Sequence, residues 1–458
     1  MSYNAIIYKS NKYKYKLTKV ENSSFIYKVT EGIPSSDHSE DVENNLINIH
    51  EDVEYQTFGG IGGAFTDAAA SAWSKLSNEK KREFIEAYFS KEKGIGYTLG
   101  RITIASCDFS KDDYTYLDGN DTTLESFDIS HDKTNIFPMI YEAQKYTKLT
   151  LFASPWSPPA FMKDNNSRIG GKLKKEFYNL WAEYIKKYID ECNKNNIYLW
   201  GLTIQNEPRA HQTWESCIYF PEEEEEFLGV LGKTLKNYDI KILCYDHCRE
   251  RVFERAKRIF NSPYGEYCDG IANHWYSGDH FGELKAFNKV FPNKISIASE
   301  ECCAIYEGGI EKNSDLKNAE RYAHDILNSF ENGLHYYCDW NLTLNEYNGP
   351  YHHRENRGCY ADAPVYCIES TNSIHYRLSY YYIGHFSKFV IPGAKVISSS
   401  SYSYDVETVA FKNPDNSIVL VVLNRTNENK KCIVRLNDYI HEFELEEHTI
   451  ATVIINKN

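Results

Sequence analysis

Two glutamates in this sequence stand where a chain can aim a side chain. Leu202-Thr203-Ile204-Gln205-Asn206-Glu207-Pro208 is a β-branched, apolar run stopped by a proline, which cannot continue a strand's ladder, so Asn206 and Glu207 arrive at a strand's C-terminal end. Lys294-Ile295-Ser296-Ile297-Ala298-Ser299-Glu300-Glu301 alternates apolar and polar residues and delivers Glu300 in the same way. The two acids are 300 − 207 = 93 positions apart, so only the tertiary fold can bring them together. Paired carboxyls flanking one bond are the equipment of glycoside hydrolysis: one gives a proton to the leaving oxygen, and the other attacks or activates water. Unlike surroundings must then hold their two pKa values apart. Either glutamate alone reads equally as the end of a strand or half of an ion pair; the argument rests on the pair.

Aromatic residues gather at comparable positions: Trp156 in Ser154-Pro155-Trp156-Ser157-Pro158, Trp275 and Tyr276 after Asn273-His274, and Trp340 in Asp339-Trp340-Asn341. Flat rings beside Asp, Asn and His suit a sugar, which presents C–H faces ringed by hydroxyls, although aromatic residues also fill ordinary cores. The glycines of Gly59-Gly60-Ile61-Gly62-Gly63 lead into Phe65-Thr66-Asp67 with no Lys-Ser/Thr, which is close strand packing toward Asp67 rather than a phosphate loop. Cys244-x-x-x-Cys248, with Asp246 and His247 between, is half a metal site without a second half and reads as buried thiols. Glu222 to Glu226 after Pro221 reads as the acidic first turn of a helix rather than a cation site.

These residues must be positioned by a larger frame. Eight strand-like runs follow one another: Phe58 to Thr66, Thr98 to Ala105, Leu149 to Ala153, Leu199 to Gln205, Ile240 to Tyr245, Gly270 to His274, Ile295 to Ser299 and Tyr336 to Leu342. Amphipathic stretches lie between several of them, at Ser77 to Phe89, Leu173 to Cys192, Glu222 to Lys236, Val252 to Asn261 and Asn318 to Asn332. The rhythm predicts an α/β fold, a (β/α)8 TIM barrel over residues 58–380, in which chemistry sits after the strands' C-terminal ends; Glu207 and Glu300 follow strands four and seven. Residues 381–458 read as short alternating strands, an all-β, sandwich-like side domain. Strands within residues 1–57, at Asn4 to Tyr8 and Ser24 to Val29, are expected to join it, with Ser36 to Glu51 as an acidic loop.

Composition narrows the partners. With 458 residues, 42% of them hydrophobic, the chain can bury a large core. A net charge of −14 repels nucleic acid, and no basic cluster offsets it. No stretch is long and apolar enough for a membrane span or a signal peptide, and the 12 cysteines lack a disulfide spacing, so a cytoplasmic protein with reduced thiols and no membrane partner is expected. Nothing here calls for a cofactor or a metal; the expected partner is a small carbohydrate or glycoside, and the oligomeric state is left open.

The motifs Gly62-Gly63-Ala64-Phe65-Thr66-Asp67-Ala68-Ala69-Ala70, Ala105-Ser106-Cys107-Asp108-Phe109-Ser110, Ala153-Ser154-Pro155-Trp156, Asn206-Glu207-Pro208, His274-Trp275-Tyr276, Ala298-Ser299-Glu300, Asp339-Trp340-Asn341-Leu342 and Gly384-His385-Phe386-Ser387-Lys388-Phe389 occur in one order. Together they resemble glycoside hydrolase family 30, in the branch holding glucosylceramidases, β-glucosidases and β-xylosidases. The resemblance implies a retaining exo-β-glycosidase acting by double displacement, with Glu207 as acid/base and Glu300 as nucleophile. It also implies that Asp67, Trp156, Asn206 and Trp340 bind the terminal sugar, with Tyr276 beside the nucleophile. Two departures stand out: Glu301 adds a charge after the nucleophile, which would raise a neighbouring carboxyl if it faced the pocket, and Cys359 replaces an expected asparagine. The competing readings are a β-1,6-glucanase or another endo-acting member of the family, a non-catalytic sugar-binding protein on the same scaffold, and a barrel aldolase or isomerase, for which no Schiff-base lysine stands at a strand end.

Overall fold

The computed structural model describes residues 2–27, 45–305, 315–352, 360–401 and 403–457. The eight expected runs are all strands: β1 (Gly60–Phe65), β2 (Leu99–Ile104), β3 (Thr150–Pro155), β4 (Leu199–Thr203), β5 (Lys241–Cys248), β6 (Gly270–His274), β7 (Ile295–Glu301) and β8 (Tyr336–Asn341). Each pairs in parallel with its neighbour, and β8 closes on β1. Glycine permits the tight start of the barrel, since a Cβ at Gly62 would lie 1.7 Å from the Leu99 carbonyl oxygen.

The expected helices are present with small shifts, such as Asn78–Phe89 capped by the Ser77 hydroxyl. The helix expected from Leu173 begins instead at Tyr178, after a 3₁₀ turn, because Leu173 is held in a bridge to Lys163. Its burial at Tyr178, Trp181, Ala182, Ile185, Tyr188, Ile189 and Cys192 is the stripe that faces the barrel. Pro221–Leu235 opens with Glu222, Glu223 and Glu224 in its first turn, and Glu223 accepts the Phe220 N–H at 2.7 Å. The helix Leu378–Ser387 shows no periodicity because almost every position is buried, and it runs across position 380, so the barrel's own packing continues beyond that point.

The side domain is one ten-stranded sheet. Its core order is Thr18–Ser24, Tyr3–Asn11, Thr449–Lys457, Ile418–Asn424, Val406–Lys412, Lys395–Ser401, Leu46–Thr57, Lys430–Leu436, Tyr439–Leu445 and Ile26–Tyr27. The sheet doubles over: the Tyr3 and Tyr439 rings meet edge to face at 5.2 Å, and the Lys9 ammonium donates to the Glu444 carbonyl at 2.7 Å. Ser36 to Glu51 is not wholly a loop. Residues 36–44 lie outside the described residues, and from Leu46 the chain is strand because Leu46, Ile47 and Ile49 are buried in the sheet. Cys359 also lies outside the described residues. Among them, no helix is long and apolar enough to cross a membrane.

Barrel and sheet share one apolar cluster, in which Phe58 packs on Phe330 at 5.0 Å and on Phe411 at 5.7 Å. His385 is the polar rivet: its Nδ1 meets the Thr452 hydroxyl at 2.8 Å and its Nε2 the Ser10 hydroxyl at 2.9 Å, joining the barrel's last helix to both ends of the chain. Burial pushes the imidazole down to about 3, so it stays neutral while the unfolded chain takes up a proton below about 6.5. Stability from this group is therefore complete above about 6.5 and falls with pH below it. Truncation, His385→Ala, leaves a cavity and two buried hydroxyls each short of one partner, and is expected to cost about 2–4 kcal/mol in urea unfolding at pH 7 while flattening the acid decline.

Candidate active site

Alternation along the strands stacks the barrel interior in layers. Leu99, Phe152, Leu243, Ala272, Ile297 and Cys338 fill one apolar layer. Two residues further along their strands come Arg101, Ser154, His274 and Ser299, joined by Thr203 and Asp246, so the next layer toward the C-terminal mouth is polar. Bulges help to place it. The β5–β6 register slips between Ala272 and Asn273 and leaves Asp246 unpaired, while the β6–β7 register slips beside Ser299. Tyr245 and Asp246 both have left-handed φ, 78° and 43°. Such backbone strain in non-glycine residues persists only where the surroundings hold it.

Arg101 occupies the middle of this layer, fully buried. Its Nη1 donates to Glu300 Oε2 at 2.6 Å, its Nη2 to Asp246 Oδ2 at 2.9 Å and to Asn206 Oδ1 at 3.0 Å, and its Nε to the Ser154 hydroxyl at 3.0 Å. The guanidinium carbon lies 4.8 Å from the Trp156 ring centre and 5.5 Å from that of Trp340. Asp246 also accepts from the Thr203 hydroxyl at 2.6 Å and the Ser299 hydroxyl at 2.5 Å, and meets His274 Nε2 at 3.0 Å. Burial works to raise the Asp246 carboxyl, but Arg101, His274 and Ser299 outweigh it and hold it well below the usual range.

Above this layer is a cavity of about 510 Å³, and Trp156, Asn206, Glu207, Tyr276, Glu300 and Trp340 line it. After β4 the chain keeps bonding to its neighbours: the Asn206 N–H donates to the Pro155 carbonyl and the Glu207 N–H to the Asp246 carbonyl, both at 2.9 Å. Glu207 takes φ 46°, a further left-handed non-glycine position, which turns its side chain into the mouth before Pro208. Its Oε2 accepts from Gln212 at 3.0 Å, and its Oε1 lies 3.4 Å from His274 Nδ1, an ionic contact. Glu300 comes from β7 and takes the Tyr276 hydroxyl on Oε1 at 2.8 Å, opposite Arg101 on Oε2. One oxygen of each glutamate and a ring nitrogen of His274 all lie within 4.8 Å of one another. The Trp156 and Trp340 rings stack at 5.3 Å with 20° between their planes, forming an aromatic wall.

The charges in this mouth are unequal. Against burial, the Glu300 charge and the contacts with Asp246 and Glu207 push His274 up to about 10, so it is an imidazolium and has no lone pair to offer a cation. Burial also works to raise Glu207, yet His274 and Gln212 hold it below the ordinary range. Burial pushes Glu300 up to about 7, opposed by His274 and Arg101 and reinforced by the Glu207 and Asp108 charges. Glu300 therefore keeps its proton well above ordinary carboxyl values, while Glu207 gives up its own below them.

Of the residues singled out by sequence, Glu207, Glu300, Asn206, Trp156, Trp340 and Tyr276 converge on this cavity. Asp67 does not line it. As the first residue of the helix Asp67–Ser74 it is fully buried, its Oδ2 accepts the Lys111 N–H at 3.0 Å, and its Oδ1 lies 3.2 Å from His131, while Asp108 takes a place in the wall. Glu301 faces away from the pocket, onto Arg249. Trp275 is buried against Tyr322 rather than facing the cavity. Arg101, Asp246 and His274 carry the electrostatics of the site; the sequence signal for Arg101 is a charge inside an otherwise apolar strand, whereas Asp246 sits at a bulge and His274 at a strand's end.

Residues 58–390 match the glycosyl hydrolase family 30 TIM-barrel domain, and residues 393–453 the glycosyl hydrolase family 30 beta sandwich domain. The chain is 34% identical over 408 residues to the lysosomal acid glucosylceramidase of Mus musculus, covering 84% of this chain and 78% of that one. It is 27% identical over 401 residues to an endo-1,6-beta-D-glucanase of Aspergillus fumigatus, covering 81% and 78%. Among solved structures, SrfJ from Salmonella typhimurium is similar over 100% of both chains, at a TM-score of 0.91 and 33% identity. The chain belongs to glycosyl hydrolase family 30 and is a glycoside hydrolase.

Proposed function

We propose that this enzyme is a retaining exo-β-glycosidase that hydrolyses a soluble β-glucoside, or a near relative of one, by double displacement. The observation that carries the reading is the short span between the glutamates, one oxygen of each lying within 4.8 Å of one of the other. Retaining glycosidases hold their carboxyls about 5–5.5 Å apart, whereas inverting enzymes leave about 6.5–9.5 Å for a water. Glu300 has a donor on each oxygen, which orients it for attack in its ionised form. In the first step Glu300 bonds to the anomeric carbon, the glycosidic C–O bond breaks, and Glu207 gives its proton to the departing oxygen. In the second, Glu207 takes a proton from water as the water oxygen bonds to that carbon, and Glu300 leaves as carboxylate. Arg101 fixes Asn206 through Oδ1, which directs the amide toward the substrate's 2-hydroxyl, a contact that strengthens as positive charge develops on the ring. The wall of Trp156 and Trp340 suits the C–H face of the glycone.

The likeness to the Aspergillus fumigatus endo-1,6-beta-D-glucanase supports a second reading, endo cleavage of a β-1,6-glucan. β-1,6-linked gluco-oligosaccharides separate the two. An exo enzyme releases single sugars from one end while the chain shortens slowly; an endo enzyme shortens long chains at once.

Initial rates on nitrophenyl β-glucoside, β-xyloside, β-fucoside, β-galactoside and α-glucoside test the assignment. Turnover is expected on one or more β-substrates and none on the α-glucoside. It is expected to vanish in Glu300→Gln and to fall by about 10²–10⁴-fold in Glu207→Gln. Full activity in Glu300→Gln would sink the nucleophile.

The pH dependence follows from the shared proton. The pair's proton rests on Glu300, and the reactive form is the tautomer in which Glu207 holds it and Glu300 is ionised; because the pair's last proton leaves near pH 7, kcat/KM is expected to fall as pH rises through about 7. On a dinitrophenyl glycoside, whose leaving group needs no acid, Glu207→Gln should lose that alkaline decline. A wild-type profile flat from pH 6 to 9 would contradict the shared proton.

A further inference from the structure

Glu301 immediately follows the nucleophile and is fully buried on the other face of β7. Its Oε1 accepts from Arg249 Nη2 at 3.2 Å. Arg249, itself fully buried, also donates to Asp325 at 2.9 Å and to the Asn273 side chain at 2.9 Å. Glu301 Oε2 accepts the main-chain N–H of Trp275 at 2.8 Å. The Trp275 indole N–H donates to the Cys302 carbonyl at 3.0 Å, so the first residue after β6 is tied to the end of β7 at two points. The next residue is Tyr276, whose hydroxyl is on Glu300.

Two neighbouring carboxylates of one strand thus hold two neighbouring residues of one loop. Tyr276 is 44% exposed, so packing fixes its ring only in part, and the direction of its hydroxyl depends on where its backbone is anchored. A buried ion pair is a weak source of stability, because desolvation offsets its attraction, and its firmer use is to fix one arrangement among several. We propose that Glu301 is a positioning residue for the reaction: through the Trp275 N–H it sets the backbone from which Tyr276 holds the nucleophile Glu300. The inference rests on the reading of Glu300 as nucleophile and concerns a residue that touches no substrate.

Its test is a double-mutant cycle with a structural arm. Glu301→Ala is expected to lower kcat by about 10- to 100-fold, the scale of a small misplacement at a reacting centre. Glu301→Gln keeps an oxygen for the Trp275 N–H and should recover most of that loss. In the Tyr276→Phe background, Glu301→Ala should cost less than about three-fold more, because the group it positions is gone. Full additivity overturns the proposal, as does wild-type kcat in Glu301→Ala. If Glu301→Ala does not fold, the cycle is run with Glu301→Gln and Glu301→Asp, and Asp is expected to show the loss, since its shorter side chain cannot reach the N–H. The crystal structure of the alanine or aspartate variant gives the readout independent of turnover: a Tyr276 hydroxyl beyond hydrogen-bond distance of Glu300 supports the proposal, and one still within it overturns it. Failure of the nucleophile reading shows instead as activity in Glu300→Gln, whatever the cycle reports.

Discussion

A guanidinium buried at the centre of a β-barrel is the constraint on which this molecule turns. Stripping such an ion of water costs several kcal/mol after all relaxation, and only well-aimed acceptors offset that cost. Arg101 finds them in Glu300, Asp246, Asn206 and Ser154, contributed by β7, β5, the end of β4 and β3. A shift in any of these strands would leave a charge unmatched in a dry interior. The bulges that carry Asp246 and Ser299 inward, and the left-handed backbone at Tyr245, Asp246 and Glu207, are conformations that the network holds in place.

The same network sets the tone of the reaction. Two cations, Arg101 and His274, face three carboxylates, Asp246, Glu207 and Glu300. The excess negative charge and the dry surroundings retain a proton that isolated glutamates would have lost. The barrel thus supplies general glycosidase chemistry from residues that point inward along its strands. Family membership leaves the choice between a glucosylceramidase and a glucanase open.

Much of this frame was legible in the order of residues. Strands buried on both faces appear as short apolar runs and amphipathic helices carry their own period, so the eight βα units and the strand-end placement of Glu207 and Glu300 could be read directly. Arg101 escaped notice because a charge in the middle of Leu99–Ile104 contradicts the apolar pattern that identifies the strand, and only closure of the barrel shows what it faces. Asp246 was hidden by its bulge, which no periodicity encodes. The helix Leu378–Ser387 lacked an exposed face to mark its period. The strand and the motif both point to Asp67, whereas its direction depends on Lys111 and His131, from later segments of the chain.

The pairing of Tyr3–Asn11 with Thr449–Lys457 has a consequence for biosynthesis. A ribosome adds about 5–20 residues per second, so Tyr3–Asn11 waits on the order of a minute for this second partner. The barrel has all its strands by Asn341 and can close during that interval. Tyr3–Asn11 can pair at once with Thr18–Ser24, but its other edge emerges with exposed backbone donors and acceptors and stays open to other nascent chains until Thr449–Lys457 is made. That edge therefore stays open until long after Glu207 and Glu300 have been translated.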